Sequence, residues 1–259
     1  MSHLHIPDGI LPLWLWLLGY ILIAIYFIFG AFYIKKYKKQ SKFPLISIMA
    51  ALMILTMSIP LPFPVPYHVN LSVLTGIILG PVLAFFAVFT TNLLLAFLAH
   101  GGITVIGLNT VVISIEAALG YFIFRFLYKK FNKIFFSVFI ATFLALLFST
   151  FLNIGIVYTG THNLSMLAHH HHGHHGEFNH KHHQNDHNFI EHENHHPPLM
   201  ETHERQEGFD KHEHEENFNI KKFLSLMFIF GFIGWILESS LTGFIVSYIN
   251  KVKPDILNL

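Results

Sequence analysis

Long apolar runs constrain this chain more than any other feature of its sequence. A helix that crosses a membrane needs roughly 20 mostly apolar residues. Only 12% of the residues are charged, whereas a soluble domain carries about 25%. Six apolar runs lie at about 11–34, 44–59, 71–99, 111–128, 134–157 and 223–249. The sequence therefore predicts an all-α polytopic membrane protein.

The run at 71–99 contains an internal break at Gly80-Pro81. Proline fixes φ and lacks a backbone N–H, so it interrupts a helix. We expect two short helices, at about 71–79 and 82–98, that turn at this dipeptide; a single kinked helix is the alternative. For the same reason the proline-rich stretch Pro60–His68 is not helical throughout. The total is about seven transmembrane helices.

The helices divide the chain into four parts. These are an N-terminal segment (1–10), transmembrane helices one to six (11–160), a hydrophilic histidine-rich insert (161–218), and a last helix with its tail (219–259). Low hydrophobicity predicts that the insert is disordered. No basic segment precedes the first apolar run, so we do not expect a cleaved signal peptide.

Basic residues predict the orientation. Lys and Arg cluster at 35–42, 125–133 and 251–253, and such clusters favour the cytoplasmic side. Seven helices place all three clusters on one side, whereas six would separate the first from the others. We therefore expect a cell-membrane protein whose N-terminus and insert are extracytoplasmic. The loops near His68 and His100 would then share that outer face.

Histidine is the unusual residue of this chain. There are 21 histidines and no cysteine, so a metal site would use nitrogen or oxygen ligands, and imidazole suits nickel, cobalt, copper and zinc. The insert holds 17 of the histidines, and such tracts bind metal by composition; a solvated spacer that binds metal incidentally is the alternative. The densest part, predicted to collect metal, comprises His169, His170, His171, His172, His174, His175, His180, His182 and His183.

One stretch of the insert fits the residue pattern of a catalytic motif. "HENHH" (192–196) fits the zinc-peptidase pattern H-E-x-x-H, which requires a helix. Pro197-Pro198 follow at once, and a tract this rich in His and Glu produces such matches by chance. We reject a peptidase site here.

The N-terminus carries a possible chelate. An α-amine, a deprotonated amide and a nearby imidazole surround a square-planar ion, a geometry that favours Cu(II) or Ni(II). If Met1 is removed, Ser2 and His3 supply three such nitrogens, and another imidazole completes four. If Met1 stays, Met1, Ser2 and His3 supply four by themselves. A frayed terminus without function is the alternative.

Further polar residues lie in or beside apolar segments. His68 is a ligand or an interfacial polar residue. His100 and Asn109 flank Gly101-Gly102, in a functional segment or in a loop that caps two helices. Glu116 and Glu238 lie within apolar helices. Intramembrane carboxyls are functional candidates, and the alternatives are that they end a helix or form hydrogen bonds between helices.

Four blocks carry a resemblance. "HIPDGILP" (5–12) resembles the N-terminal signature of the CbiM/NikM family, the substrate-binding membrane components of energy-coupling-factor transporters for cobalt and nickel. The blocks "HVNLSVLTGIILGP" (68–81), "LLLAFLAHGGITVIGLNT" (93–110) and "ILESSLTGFIVSYINKVKPDIL" (236–257) resemble family segments in the same order. The similarity covers most of the chain outside the insert.

The resemblance implies a fold and a site. The family fold is mostly seven helices with the N-terminus outside and its first segment inserted into the bundle. A square-planar nitrogen site would use the terminal amine, the amide and imidazole of the second residue, and a further histidine that maps to His68. By alignment the second-residue histidine is His5, but by chemistry it is His3. We expect Ser2, His3 and His68 as the core, with His5 as an additional ligand or as a residue that supports the ligands. Asn109 and His100 would support these ligands.

The resemblance also implies the function. The chain would be the substrate-binding subunit of an ATP-driven transporter for divalent cobalt or nickel, supplying cobalamin biosynthesis or nickel enzymes. It has no P-loop, so we expect a membrane coupling subunit, two ATPase subunits and a small accessory membrane subunit as partners. We expect no cofactor, because the metal is the substrate, and no nucleic acid. The alternatives are a stand-alone secondary carrier with a metal-collecting loop and an intramembrane enzyme.

Overall fold

The structure is a computed structural model that describes residues 11–59, 67–98, 102–161 and 220–257. Within these ranges the chain forms seven α-helices, which confirms the all-α polytopic prediction. They are α1 (Leu13–Lys36), α2 (Phe43–Ser58), α3 (Ser72–Leu79), α4 (Pro81–Phe97), α5 (Ile106–Phe131), α6 (Ile134–Thr161) and α7 (Ile220–Val252). Two short 3-10 turns, Lys39–Lys42 and Pro254–Ile256, follow α1 and α7. The predicted break is confirmed, because α3 ends and α4 begins at Gly80.

The helices differ in their capacity to cross a bilayer. In the described residues, α1, α2 with its preceding turn, α5, α6 and α7 are long and apolar enough to span. Helix α4 has 17 residues. Helix α3 has only eight, a length of about 12 Å, because a buried non-helical segment precedes it. The large apolar side chains that remain exposed, such as Phe32 and Phe244, are those expected to face lipid.

The basic residues gather at one end of the bundle, which we call the basic end. A cavity of about 340 Å³ there is lined by Lys39, Gly80, Arg125 and Leu257, among others. The end of α1, the turn between α3 and α4, the last turns of α5 and the C-terminal turn therefore meet. This arrangement is the one that seven helices predict for the three basic clusters. The opposite end, formed by the starts of α1 and α5 and the end of α2, is the histidine end.

Helix α5 lies at the centre, and glycines allow other helices to approach it closely. A Cβ on Gly107 of α5 would lie 2.7 Å from the carbonyl carbon of Gly19 in α1. A Cβ on Gly76 of α3 would overlap the carbonyl oxygen of Ala117 in α5. Small residues at such crossings let two membrane helices come into backbone contact. Both α1 and α3 are thus fixed against α5.

The start of α5 differs from the prediction. The helix begins at Ile106, five residues earlier than the predicted 111, so Asn109 lies in the helix and not in a loop. Val105 and Leu108 are buried against Leu11 and Leu15 at the start of α1. This tertiary packing stabilises a turn that its glycine-rich sequence does not favour. The histidine-rich tract, predicted to be disordered, lies outside the described residues.

Candidate metal site

His68 lies in the short non-helical segment between α2 and α3. Its Nδ1 is 2.7 Å from the carbonyl oxygen of Met57, in the last turn of α2. A carbonyl oxygen only accepts hydrogen bonds, so Nδ1 is the donor. With Nδ1 as the donor, Nε2 is the nitrogen left for metal coordination, and the contact with α2 orients the ring. The geometry therefore assigns Nε2 as the nitrogen that His68 can offer to a metal ion.

The carboxyl of Glu238 in α7 holds the residues on both sides of His68. The hydroxyl of Tyr67 donates to Oε2 of Glu238 over 3.0 Å. The backbone N–H groups of Asn70 and Leu71 donate to Oε1 of Glu238 over 3.3 Å and 3.2 Å. Irregular backbone at membrane depth requires internal partners for its N–H groups. Glu238 supplies them at two positions.

A second carboxyl reaches the same segment from α5. The side-chain amide of Asn70 donates to Oε1 of Glu116 over 3.2 Å, and the hydroxyl of Ser72 donates to the same oxygen. Glu116 and Glu238, which we call the buried carboxyl pair, are 0% and 1% exposed. Asn70 joins them, since its side chain binds Glu116 and its backbone binds Glu238. Glu116 therefore bonds between helices, to Ser72 of α3, whereas Glu238 bonds to the non-helical segment before α3.

The backbone of this segment is held in an unusual conformation. Leu71 has φ 57° and ψ 20°, in the left-handed region, which costs a residue with a side chain on the order of 1–3 kcal/mol. Such a conformation persists only where the surroundings fix it. The ring of Tyr67 is one of these fixed points, because it packs so closely on α7 that a Cβ at Gly234 would overlap it.

Asn109 lies at the histidine end in the first turns of α5 and is 5% exposed. The next residue, Thr110, accepts a hydrogen bond from the side chain of Asn92 in α4 over 3.1 Å. The hydroxyl of Tyr20 in α1 donates to the carbonyl of Ile103 over 2.6 Å. The bond of Tyr20 and the contacts of Leu11 tie the start of α1 to the start of α5, and the bond of Asn92 ties α4 to it. The chain thus enters the bundle beside the turn that carries Asn109.

The other predicted ligands lie outside the described residues, so their prediction stays a prediction. They are Ser2, His3, His5, His100 and the histidines of the insert. His68 is the one histidine that the described ranges contain. Within those ranges no three or more His, Cys, Asp or Glu residues form a group that could hold a metal ion. Around His68 the structure brings together the carbonyl of Met57 and residues 67–72, which Glu116 and Glu238 hold by hydrogen bonds.

Sequence reasoning missed Tyr67, Asn70 and Ser72, which are 2%, 0% and 0% exposed. A signal was available in the stretch "YHVNLS" (67–72). It alternates polar and apolar residues directly before a long apolar run, and polar groups placed there need partners inside the protein.

Comparisons with known proteins agree with this architecture. Residues 5–256 match the family described as "Cobalt uptake substrate-specific transmembrane region". The "Cobalt transport protein CbiM" of Thermosipho melanesiensis is 38% identical over 140 residues, which cover 51% of this chain and 58% of that protein. The matched part therefore spans less than two thirds of this relative.

Two solved structures are similar to the chain. A crystal structure described as a transition metal transporter has a TM-score of 0.62 over 96% of this chain and 93% of its own, at 20% identity, and it shows the fold alone. A truncated transition metal transporter has a TM-score of 0.50 and 25% identity over 55% of this chain and 69% of its own. The family match covers nearly all the residues that the helices occupy. This multi-pass membrane protein therefore belongs to the CbiM family of substrate-specific transmembrane components for cobalt uptake.

Proposed function

We propose that this chain is the substrate-binding subunit of an ATP-driven transporter that takes up divalent nickel or cobalt. The observation that carries the proposal is the orientation of His68, whose Nδ1 donates to the carbonyl of Met57 at 2.7 Å. A ring fixed in this way presents Nε2 as a metal ligand. The family consists of transport components and not of catalytic enzymes, which supports a role in binding the ion.

In this proposal the N-terminal segment supplies the remaining nitrogens. Leu11 packs beside Leu108, and Glu116 lies eight residues further along α5, about 12 Å away along the helix axis. A chain of eight residues, from His3 to Leu11, extends up to about 27 Å. Both His3 and His5 are therefore within reach of the segment that carries His68.

The choice among N-terminal ligands depends on processing. With Met1 removed, the Ser2 amine and the amide and imidazole of His3 supply three nitrogens, and His68 completes a square plane. His5 is the alternative or additional ligand. Asn109 and His100 would hold the N-terminal segment by hydrogen bonds. Such outer partners orient metal ligands and raise affinity. Nitrogen ligation and the affinity order of divalent ions both favour nickel over cobalt.

The proposal assigns the two ends of the helix bundle to the two sides of the membrane. The three basic clusters mark the cytoplasmic face by the positive-inside rule, and the N-terminus and the insert are then extracytoplasmic. The insert collects metal ions near the site through its 17 histidines. Energy comes from a membrane coupling subunit and two ATPase subunits, with a small accessory membrane subunit completing the transporter.

Metal titration of the purified full-length chain against a competing chelator tests the site. We expect one Ni(II) or Co(II) to bind tightly, and His68→Ala to abolish this binding. One of His3→Ala and His5→Ala should abolish it as well, and intact mass identifies the terminal residue. His187→Ala, within the insert, is the matched control and should retain the tight ion. Tight binding that survives in His3→Ala, in His5→Ala and in His68→Ala would contradict the proposed site.

Uptake into vesicles separates the proposed function from a stand-alone carrier. The chain is reconstituted with and without coupling and ATPase subunits, and metal uptake is followed with and without ATP. We expect accumulation only with the subunits and ATP together. Accumulation by the chain alone would favour the carrier, and a metal-independent activity would favour the enzyme.

A further inference from the structure

We propose that Glu238, assisted by Glu116, is a positioning residue that sets the place of His68 and thereby the affinity and geometry of the metal site. The proposal rests on the proposed function, because it requires His68 to be a ligand. Neither carboxyl needs to touch the metal. Each acts through the backbone and side chains of residues 67–72.

The first support is the distribution of the hydrogen bonds. Glu238 binds the residue before His68 through the hydroxyl of Tyr67 at 3.0 Å. It also binds the backbone two and three residues after His68, at the N–H groups of Asn70 and Leu71. A single carboxylate therefore fixes both flanks of the ligand, which leaves His68 little freedom to move along or away from α2.

The second support is the packing of the same segment on α7. Gly234 lies one helical turn before Glu238, and side chains four residues apart share one face of a helix. The Tyr67 ring occupies the space where a side chain at Gly234 would lie. The ring and its hydroxyl are thus held by two consecutive turns of α7.

The third support is the left-handed conformation of Leu71, at φ 57°. A strained backbone residue relaxes unless its surroundings hold it. The N–H of Leu71 is bound to Glu238 at 3.2 Å. From the other side, Glu116 binds the Asn70 side chain at 3.2 Å and the Ser72 hydroxyl. The two carboxyls, on helices far apart in sequence, hold a conformation that the chain does not prefer.

The test compares Ni(II) binding to full-length wild type, Glu238→Ala and Glu238→Gln. The glutamine amide oxygen still accepts from the two N–H groups, so Glu238→Gln should rescue most of the effect. Ser239→Ala is the matched control, since Ser239 is adjacent, 0% exposed, and its hydroxyl has no hydrogen-bond partner within the described residues. Thermal stability of the metal-free protein is measured for each variant.

The expected result is a tenfold or greater loss of Ni(II) affinity in Glu238→Ala, in line with the 10–100-fold effect of removing outer partners of metal ligands. The absorption spectrum of the remaining bound Ni(II) should change, because the His68 nitrogen is displaced. Ser239→Ala should match wild type in affinity and spectrum, and Glu238→Gln should lie near it.

Several outcomes would overturn the proposal. A Glu238→Ala protein that loses thermal stability but binds Ni(II) with wild-type affinity and spectrum would show a structural role alone, as would equal effects of Ser239→Ala. If Glu238→Ala does not fold, Tyr67→Phe replaces it, and wild-type binding in that variant would refute the proposal. If His68→Ala itself retains tight binding, the proposed function fails, which is a distinct result.

Discussion

The backbone contact between α1 and α5 leads to a quantitative prediction. In Gly107→Ala, the new Cβ would lie 2.7 Å from the carbonyl carbon of Gly19 and 2.8 Å from the backbone nitrogen of Tyr20, whereas ordinary contact begins at 3.4 Å. The difference, 3.4 − 2.7, is 0.7 Å. Both neighbours are backbone atoms, so no side chain can rotate away and α1 itself must move. Such overpacking costs about 1–3 kcal/mol.

The helix propensity of alanine acts in the opposite direction. Replacing glycine by alanine in a helix gains about 0.5–1 kcal/mol. Gly155→Ala measures this gain alone, because a Cβ there meets nothing within 4 Å. The difference in unfolding free energy between Gly107→Ala and Gly155→Ala should therefore be about 1–3 kcal/mol. Denaturant titration in detergent micelles, followed by circular dichroism, measures both variants.

The partner glycine gives a second check on the same contact. Gly19→Ala should destabilise by a similar amount, since its Cβ would lie 2.7 Å from the backbone nitrogen of Leu108. The double variant should lose less unfolding free energy than Gly19→Ala and Gly107→Ala lose in total, because the first substitution already separates the helices. Equal stability of Gly107→Ala and Gly155→Ala, or full additivity of the glycine pair, would refute the close crossing.

Three further predictions follow from the site and the topology. Gly234→Ala displaces the Tyr67 ring and should weaken Ni(II) binding tenfold or more. In the control Gly231→Ala the new Cβ lies 3.5 Å from the Trp235 ring, so binding should match wild type. Equal Ni(II) affinities of the two variants would contradict the packing of Tyr67 on Gly234. Deletion of 161–218 should lower the number of ions bound per chain but leave the Kd of the tight site unchanged, and loss of the tight ion would place it in the insert. Because the chain lacks cysteine, Lys38→Cys should react with an impermeant thiol reagent only from the cytoplasmic side, and labelling from outside would reverse the proposed orientation.

Local sequence predicts the helices well, because each apolar run is its own signal. Even the break in the run at 71–99 is marked by Gly80-Pro81, whose chemistry acts on neighbouring residues. The early start of α5 was missed because it depends on packing against Leu11 and Leu15. Those contacts join segments nearly 100 positions apart, which no local pattern reveals.

The surroundings of His68 follow from the sequence only in part. His68 stands out by residue type, and Glu116 and Glu238 stand out as carboxyls in apolar helices. The partners of the carboxyls do not, since Tyr67 and Glu238 are separated by 171 residues. The role of the segment around His68 depends on which helices meet there. The left-handed conformation of Leu71 follows from those contacts and not from leucine itself.

The central claim is that His68 and the N-terminal segment together hold one metal ion. X-ray absorption at the nickel edge tests it directly, on the full-length chain loaded with less than one equivalent of Ni(II), in wild type and His68→Ala. We expect a square-planar nitrogen environment in wild type and its loss in His68→Ala, because that variant no longer holds the ion in the tight site. An octahedral environment rich in oxygen, or a spectrum that His68→Ala leaves unchanged, would contradict it.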